Sequence, residues 1–366
     1  MRIGLLFSLL ATLAANASAA EIPRSKTEDV ERLVKAFMAK EGVPGLSIAI
    51  VVDGALRWAN GFGMADLENS VPAKATTVYR TASMGKTMTA TAAMELVEQH
   101  KLDLSADIRD YCPAFPSKQW RITPTNLLSH TSGIRHYGGP HDQEEQLSTI
   151  HYSSVAEALR PFKDDPLLFE PGTKYEYSTY GFDVLGCVVE GAAKTPFLTL
   201  MHNQVWEPAG MVATRDDDPS AVVPDRAAKY TRSGGQLRNA PAVDMSNRLP
   251  AGGYLTTAVD MAKFAEALLA NRLVTGETFR KMTVPARLAD GKPIGYGLGW
   301  GVELEEWHGD RWLFHGGSSP GASGILVIMP KHRFAVVVMT NLDDLPGRGE
   351  LAQDIAQVML DFPPAK

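Results

Sequence analysis

Gly45-Leu46-Ser47-Ile48-Ala49-Ile50-Val51-Val52-Asp53-Gly54-Ala55-Leu56-Arg57-Trp58-Ala59-Asn60-Gly61-Phe62-Gly63 organises the reading of this chain. Two runs rich in β-branched and aromatic residues meet at Asp53-Gly54, the dipeptide that best supplies the positive φ angles of a tight hairpin. Upstream, residues 27–41 place Val30, Leu33, Val34 and Phe37 at helical spacing. Downstream, residues 83–102 are helical in pattern, with Met84, Met88, Ala92, Met94 and Leu96 as apolar positions. Residues 122–271 mix helices with Gly- and Pro-rich loops. Strand character returns at residues 296–303, 311–315, 324–329 and 334–340, and a helix at 349–360 follows. The pattern predicts an α/β fold: a mainly antiparallel sheet built from both chain ends, flanked by helices, with a mostly helical lobe at about residues 84–290 inserted. A catalytic cleft is expected where the lobes meet.

The 366 residues suffice for a sizeable core, and 45% hydrophobic with 21% charged residues is ordinary for a soluble enzyme. A net charge of -6 with scattered Lys and Arg gives no basic face for nucleic acid. Arg2, an apolar run over residues 3–15 and Ala17-Ser18-Ala19 ahead of Ala20 have the form of a cleaved secretory signal. This predicts a signal peptide at residues 1–20, a single domain over 21–366, and a periplasmic or secreted destination. No later stretch is long enough to span a membrane. Export permits a disulfide between Cys112 and Cys187, but Cys187 lies in an apolar helical stretch where a free buried thiol is the plainer expectation.

Three motifs carry chemistry. In Thr81-Ala82-Ser83-Met84-Gly85-Lys86, a serine opening a helix has a lysine three positions on, so both side chains share a face. The amine can take the hydroxyl proton, and the helix N-terminus offers N–H groups to an oxyanion. Alone, such a pair could equally be a capping serine and an exposed lysine. Gly85-Lys86-Thr87 resembles the end of a phosphate loop, but Arg80 stands where that loop needs glycine. The second motif is Pro171-Gly172-Thr173-Lys174-Tyr175-Glu176-Tyr177-Ser178-Thr179-Tyr180-Gly181, and the third is Phe314-His315-Gly316-Gly317-Ser318-Ser319.

Taken in order, these motifs resemble the serine β-lactamase and DD-peptidase superfamily, in the branch of class C β-lactamases, D-aminopeptidases and related esterases. That family's order is S-x-x-K, Y-x-N, then K-T-G or H-x-G, and Ser83, Tyr177 and His315 fall in it. Leu127-Leu128-Ser129-His130-Thr131-Ser132-Gly133-Ile134, Ala251-Gly252-Gly253-Tyr254 and Tyr296-Gly297-Leu298-Gly299-Trp300-Gly301 add to the match. The resemblance implies Ser83 as nucleophile, Lys86 beside it, and Tyr177 as a base whose pKa the ammonium depresses. Tyr175 and Tyr180 are its rivals. It also implies that Gly316 and Gly317 let substrate backbone lie against the strand and that the Ser318 N–H joins the Ser83 N–H in an oxyanion hole, with His315 touching substrate or tuning Lys86 and Thr179 in the same substrate-binding set.

Thr179 departs from the pattern, standing where asparagine is usual. Tyr-Ser-Thr with Ser132-Gly133-Ile134-Arg135-His136-Tyr137 is similar to the mitochondrial serine β-lactamase-like branch, which is regarded as peptidase-type. The expectation is therefore an acyl-serine hydrolase, acting first on peptides or amides. Esters and β-lactams come next, and a penicillin-binding protein that does not turn over is the rival. Substrates are small molecules or peptides, and no cofactor is implied. His130, His136 and His141 fit no standard zinc spacing, so no metal is expected.

Overall fold

The computed structural model describes residues 22–138 and 142–363; the expected signal segment lies outside them. The strands are β1 (Gly45–Val52), β2 (Ala55–Asp66), β3 (Val71–Pro72), β4 (Tyr79–Arg80), β5 (Arg215–Asp216), β6 (Tyr230–Ser233), β7 (Gln236–Asn239), β8 (Tyr254–Thr256), β9 (Gly301–Val302), β10 (Leu313–Ser319), β11 (Ala322–Met329) and β12 (Phe334–Thr340). The α-helices are α1 (Arg24–Glu41), α2 (Gly85–Glu98), α3 (Pro124–Leu128), α4 (Asp142–Gln146), α5 (Thr179–Ala193), α6 (Phe197–Met201), α7 (Glu207–Ala209), α8 (Leu249–Gly252), α9 (Ala258–Leu269), α10 (Gly276–Met282) and α11 (Arg348–Leu360). No single helix among the described residues is long and apolar enough to cross a membrane.

The first hairpin forms as its turn chemistry dictates. Asp53 and Gly54 both take positive φ, 55° and 76°, and β1 pairs with β2 from Val52↔Ala55 to Gly45↔Gly63. On its other side β1 pairs antiparallel with β12, with Leu46 opposite Thr340. A sheet in the order β3-β2-β1-β12-β11-β10-β9 results, joining both chain ends. Asn341 locks that junction: its Oδ1 accepts from Gly45 N at 2.9 Å and its Nδ2 donates to Met64 O at 3.1 Å.

The sheet is covered on both faces. Leu46, Ile48 and Ile50 enter a core beneath α1 and α11, whose ends are joined by a Lys26–Asp361 ion pair of 2.7 Å. Ala49 and Val51 enter the other core, which includes α2, α5 and α9. Alternation along β1 thus feeds two cores, which is why its residues read as a nearly continuous apolar run.

Two expectations are corrected. Residues 296–303 form only the short β9, because the alternating glycines serve close packing rather than an extended strand. A Cβ at Gly297 would lie 2.2 Å from Met282 O, and Gly297 N turns back to Trp300 O at 2.8 Å. Cys112 and Cys187 are bridged, with Cα atoms 5.4 Å apart, so the free-thiol expectation fails. The reason is close approach: Gly191 on α5 sits where a Cβ would be 1.8 Å from Tyr111 O, bringing that helix against the Tyr111-Cys112 backbone.

Candidate active site

Ser83 sits on a single 3-10 turn, Ala82–Met84, that runs straight into α2. Ala82 has φ 45°, a left-handed conformation that strains a non-glycine residue by about 1–2 kcal/mol. The surroundings hold it there. Arg80 is buried, ion-paired to Asp217, and donates to Pro320 O at 2.8 Å, so the position that ruled out a phosphate loop anchors β4 to the turn after β10. Gly252 (φ 134°) and Gly317 close the turn from two sides. Cβ atoms there would lie 1.8 Å from Ala82 O and 2.6 Å from Thr81 O. Gly317 therefore brings β10 against the Ser83 backbone.

Lys86 is completely buried. Its Nζ donates to Ala251 O at 3.0 Å, Ser83 Oγ at 3.1 Å and Thr179 Oγ1 at 3.3 Å. Burial lowers its pKa to about 7, with Asp183 pulling upward and Arg248 downward. An amine that loses its proton near neutrality can accept one from Ser83.

Tyr177 is the tyrosine of its motif that meets Ser83. It lines the same cavity as Ser83, which pulls its phenol pKa down, and Lys86 Nζ lies 5.1 Å from its ring centroid. Tyr180 stacks on Phe162 at 4.0 Å, while Tyr175 is 40% exposed on the cleft wall. The expected depression of the Tyr177 pKa is corrected: burial pushes the phenol well above its ordinary value, outweighing the pull of Ser83. The low-pKa group of the pair is the amine. Tyr177 is thus a phenol at neutral pH, suited to donating a proton.

Thr179, the first residue of α5, gives Lys86 its hydroxyl oxygen and is buried. Ser178 caps the helix, accepting from Gly181 N at 2.9 Å. His130 Nδ1 accepts from Ser178 N and His136 Nδ1 from Thr179 N, each at 3.1 Å. These histidines therefore buttress the turn carrying Tyr177 and Thr179. His141 lies outside the described residues.

On the opposite wall, β10 pairs with β9 only at Leu313 and Phe314, so its edge from His315 onward is free of that partner. His315 Nδ1 lies 2.7 Å from Gly316 O and Nε2 is 2.8 Å from Tyr296 Oη. With the Nδ1 proton on the carbonyl, Nε2 accepts from the phenol, and both ring nitrogens are engaged. Burial, and secondly Lys86, lower the His315 pKa to about 3, so the ring is neutral. The Ser318 hydroxyl donates to Asp344 at 3.1 Å, leaving its backbone as what it offers the cleft. Ser83, Tyr177, Thr179, His315 and Ser318 all line one open cavity of 470 Å³.

Two further residues were not anticipated. Arg348, at the start of α11, lines the same cavity, with Nη1 enclosed and without a hydrogen-bond partner among the described residues. Asp183 lies one turn beyond Thr179 on α5, fully buried behind Lys86. A lone Asp in an apolar helix was the available signal for the second; the first carries none in sequence.

The chain matches the beta-lactamase family over residues 30–360. It belongs to that family. It is 30% identical over 386 residues to the serine beta-lactamase-like protein LACTB, mitochondrial, of Mus musculus, covering 79% of this chain and 70% of the relative. The octameric penicillin-binding protein homologue from Pyrococcus abyssi shares the fold with a TM-score of 0.79 at 24% identity, over 92% of this chain and 77% of the other. The D-amino acid amidase from Ochrobactrum anthropi SV3 does so at TM-score 0.77 and 20% identity, over 92% and 99% of the two chains. The family resemblance drawn from the three motifs therefore holds, as does the similarity to the mitochondrial branch. The β-lactamase-type α/β fold holds with them.

Proposed function

We propose that this chain is a serine acyl hydrolase that works through a covalent acyl-Ser83 intermediate, with peptides or amides as its first substrate class. Esters rank second and β-lactams third. The observation that carries this is the buried Lys86 amine, 3.1 Å from Ser83 Oγ with a pKa near 7, at the floor of an open cleft. Neutral Lys86 takes the Ser83 proton as Oγ attacks the acyl carbon. The backbone N–H groups of Ser83 and Ser318 hold the oxyanion, and the Tyr177 phenol protonates the leaving group. Water then attacks the ester, giving a proton to the Tyr177 oxygen, while Lys86 returns its proton to Ser83 Oγ as the acyl bond breaks.

Three features support a peptide or amide donor. The open edge of β10 suits an extended backbone lying alongside it. The Arg348 guanidinium in the cavity lining supplies positive charge for a substrate carboxylate. The D-amino acid amidase shares the fold. Thr179, offering one hydroxyl where an amide is usual in the family, ranks β-lactams last. Export remains part of the proposal, and the Cys112–Cys187 bridge supports an oxidising compartment.

The test exposes the protein and its Ser83→Ala variant to a fluorophosphonate probe and a p-nitrophenyl ester. Labelling that needs Ser83, with steady ester turnover, is the expected result. A single stoichiometric burst would favour the penicillin-binding rival, and equal reactivity of the variant would refute the assignment.

A further inference from the structure

Proton transfer from Ser83 turns Lys86, whose side chain is fully buried, into an ammonium, and an isolated buried charge is unfavourable. The charged and titratable groups around it are few. Arg248 adds positive field, and the neutral His130 and His315 are themselves disfavoured as cations by Lys86. Tyr177 is a neutral phenol before the leaving group departs. The acid whose field reaches this amine is Asp183.

Asp183 and Thr179 lie four residues apart on α5 and so share the face that packs on α2. The Asp183 side chain is fully buried, and neither oxygen has a hydrogen-bond partner of ordinary geometry among the described residues. Ala251 links the two groups: its carbonyl accepts from Lys86 at 3.0 Å, and its N–H gives weak support to the carboxyl. The other titratable groups that face the carboxyl are Arg248 and the phenols of Tyr137, Tyr180 and Tyr254.

We propose that Asp183 is a positioning residue for Lys86: its buried, otherwise unpartnered carboxyl is the countercharge for the ammonium that forms when Ser83 gives up its proton. The inference rests on the acyl-serine reading of the site. Burial pushes the Asp183 carboxyl well above its ordinary range and the Lys86 amine below its own, while each draws the other back. Two buried groups that each favour the charged form of the other are coupled, so the ammonium forms more readily with the carboxylate present. Asp183 touches no substrate; it acts through the amine.

The test is the pH dependence of fluorophosphonate labelling in the wild type, Asp183→Asn and Asp183→Glu. Removing the carboxylate makes ammonium harder to form, so the acid limb should move to lower pH by about one unit. The weaker base should also lower the plateau rate about tenfold. Asp183→Glu should return the limb toward its wild-type position. Should Asp183→Asn fail to fold, Asp183→Ser gives the same comparison in a smaller side chain. An unmoved limb in whichever carboxylate-free variant folds, with the wild type still labelled at Ser83, overturns this inference alone. No labelling of the wild type takes the acyl-serine reading down with it.

Discussion

In the proposed mechanism Lys86 is a base in surroundings that also make it a poor cation. With burial setting its pKa near 7, the neutral amine is the minority form below that value and the majority above it. The rate of Ser83 acylation should therefore rise with pH through a limb centred near 7 and level off above it. Stopped-flow labelling between pH 5 and 9 checks this, and a limb near the ordinary carboxylate range would point to a different base. Ser83 and Lys86 were legible in sequence because three-residue spacing at a helix start fixes their relation. Tyr177 was legible only by its order among the motifs, and the direction of its pKa shift was not. That depends on enclosure by His130, whose ring lies 4.2 Å from it and comes from a distant segment. Asp183 was hidden for the same reason, since nothing local says that an acid in an apolar helix faces a lysine on another one.

At the scale of elements, α5 carries one wall of the site and is held at two places. Its N-terminus is capped by Ser178 and buttressed by His130 and His136; its C-terminal half is tied to the Tyr111-Cys112 turn through Cys187. Removing the tie in a Cys112→Ala/Cys187→Ala variant should lower stability by about 2–5 kcal/mol. Urea unfolding of that variant against the oxidised wild type gives the number, and equal midpoints would show that packing alone holds the helix. Sequence marked α1, β1, β2 and α11 to within a few residues, because each has a clean period and a clear stop. It misjudged residues 296–303 and the cysteine pair, where the outcome turns on how closely a backbone from elsewhere approaches a glycine. The strain at Ala82 likewise comes from neighbours that sequence does not place.

For the whole molecule, the sheet separates two cores, and Lys86 and Asp183 lie on the side of only one of them, among Met84, Met88, Phe182 and Val184. Ile355 on α11 is fully buried in the core away from Lys86 and Asp183. Ile355→Ala should cost about 2–5 kcal/mol of stability while leaving the Ser83 labelling rate unchanged below the melting transition. Thermal melts read beside labelling rates test this, and a parallel fall in both would mean that the sheet transmits packing changes to the cleft. The separation also explains why the antiparallel sheet could be foreseen, since β1 must satisfy apolar layers on both sides.

The pairing of β1 with β12 also sets a timetable for synthesis. As the chain leaves the ribosome, the first hairpin emerges with its inner edge bare, while the strand that will cover it has yet to be translated. Contacts this distant in sequence form slowly. The nascent hairpin must therefore be shielded from neighbouring chains until the final strands arrive. Release of the C-terminal segment, rather than completion of any early part, is the moment at which the folded protein can begin to exist.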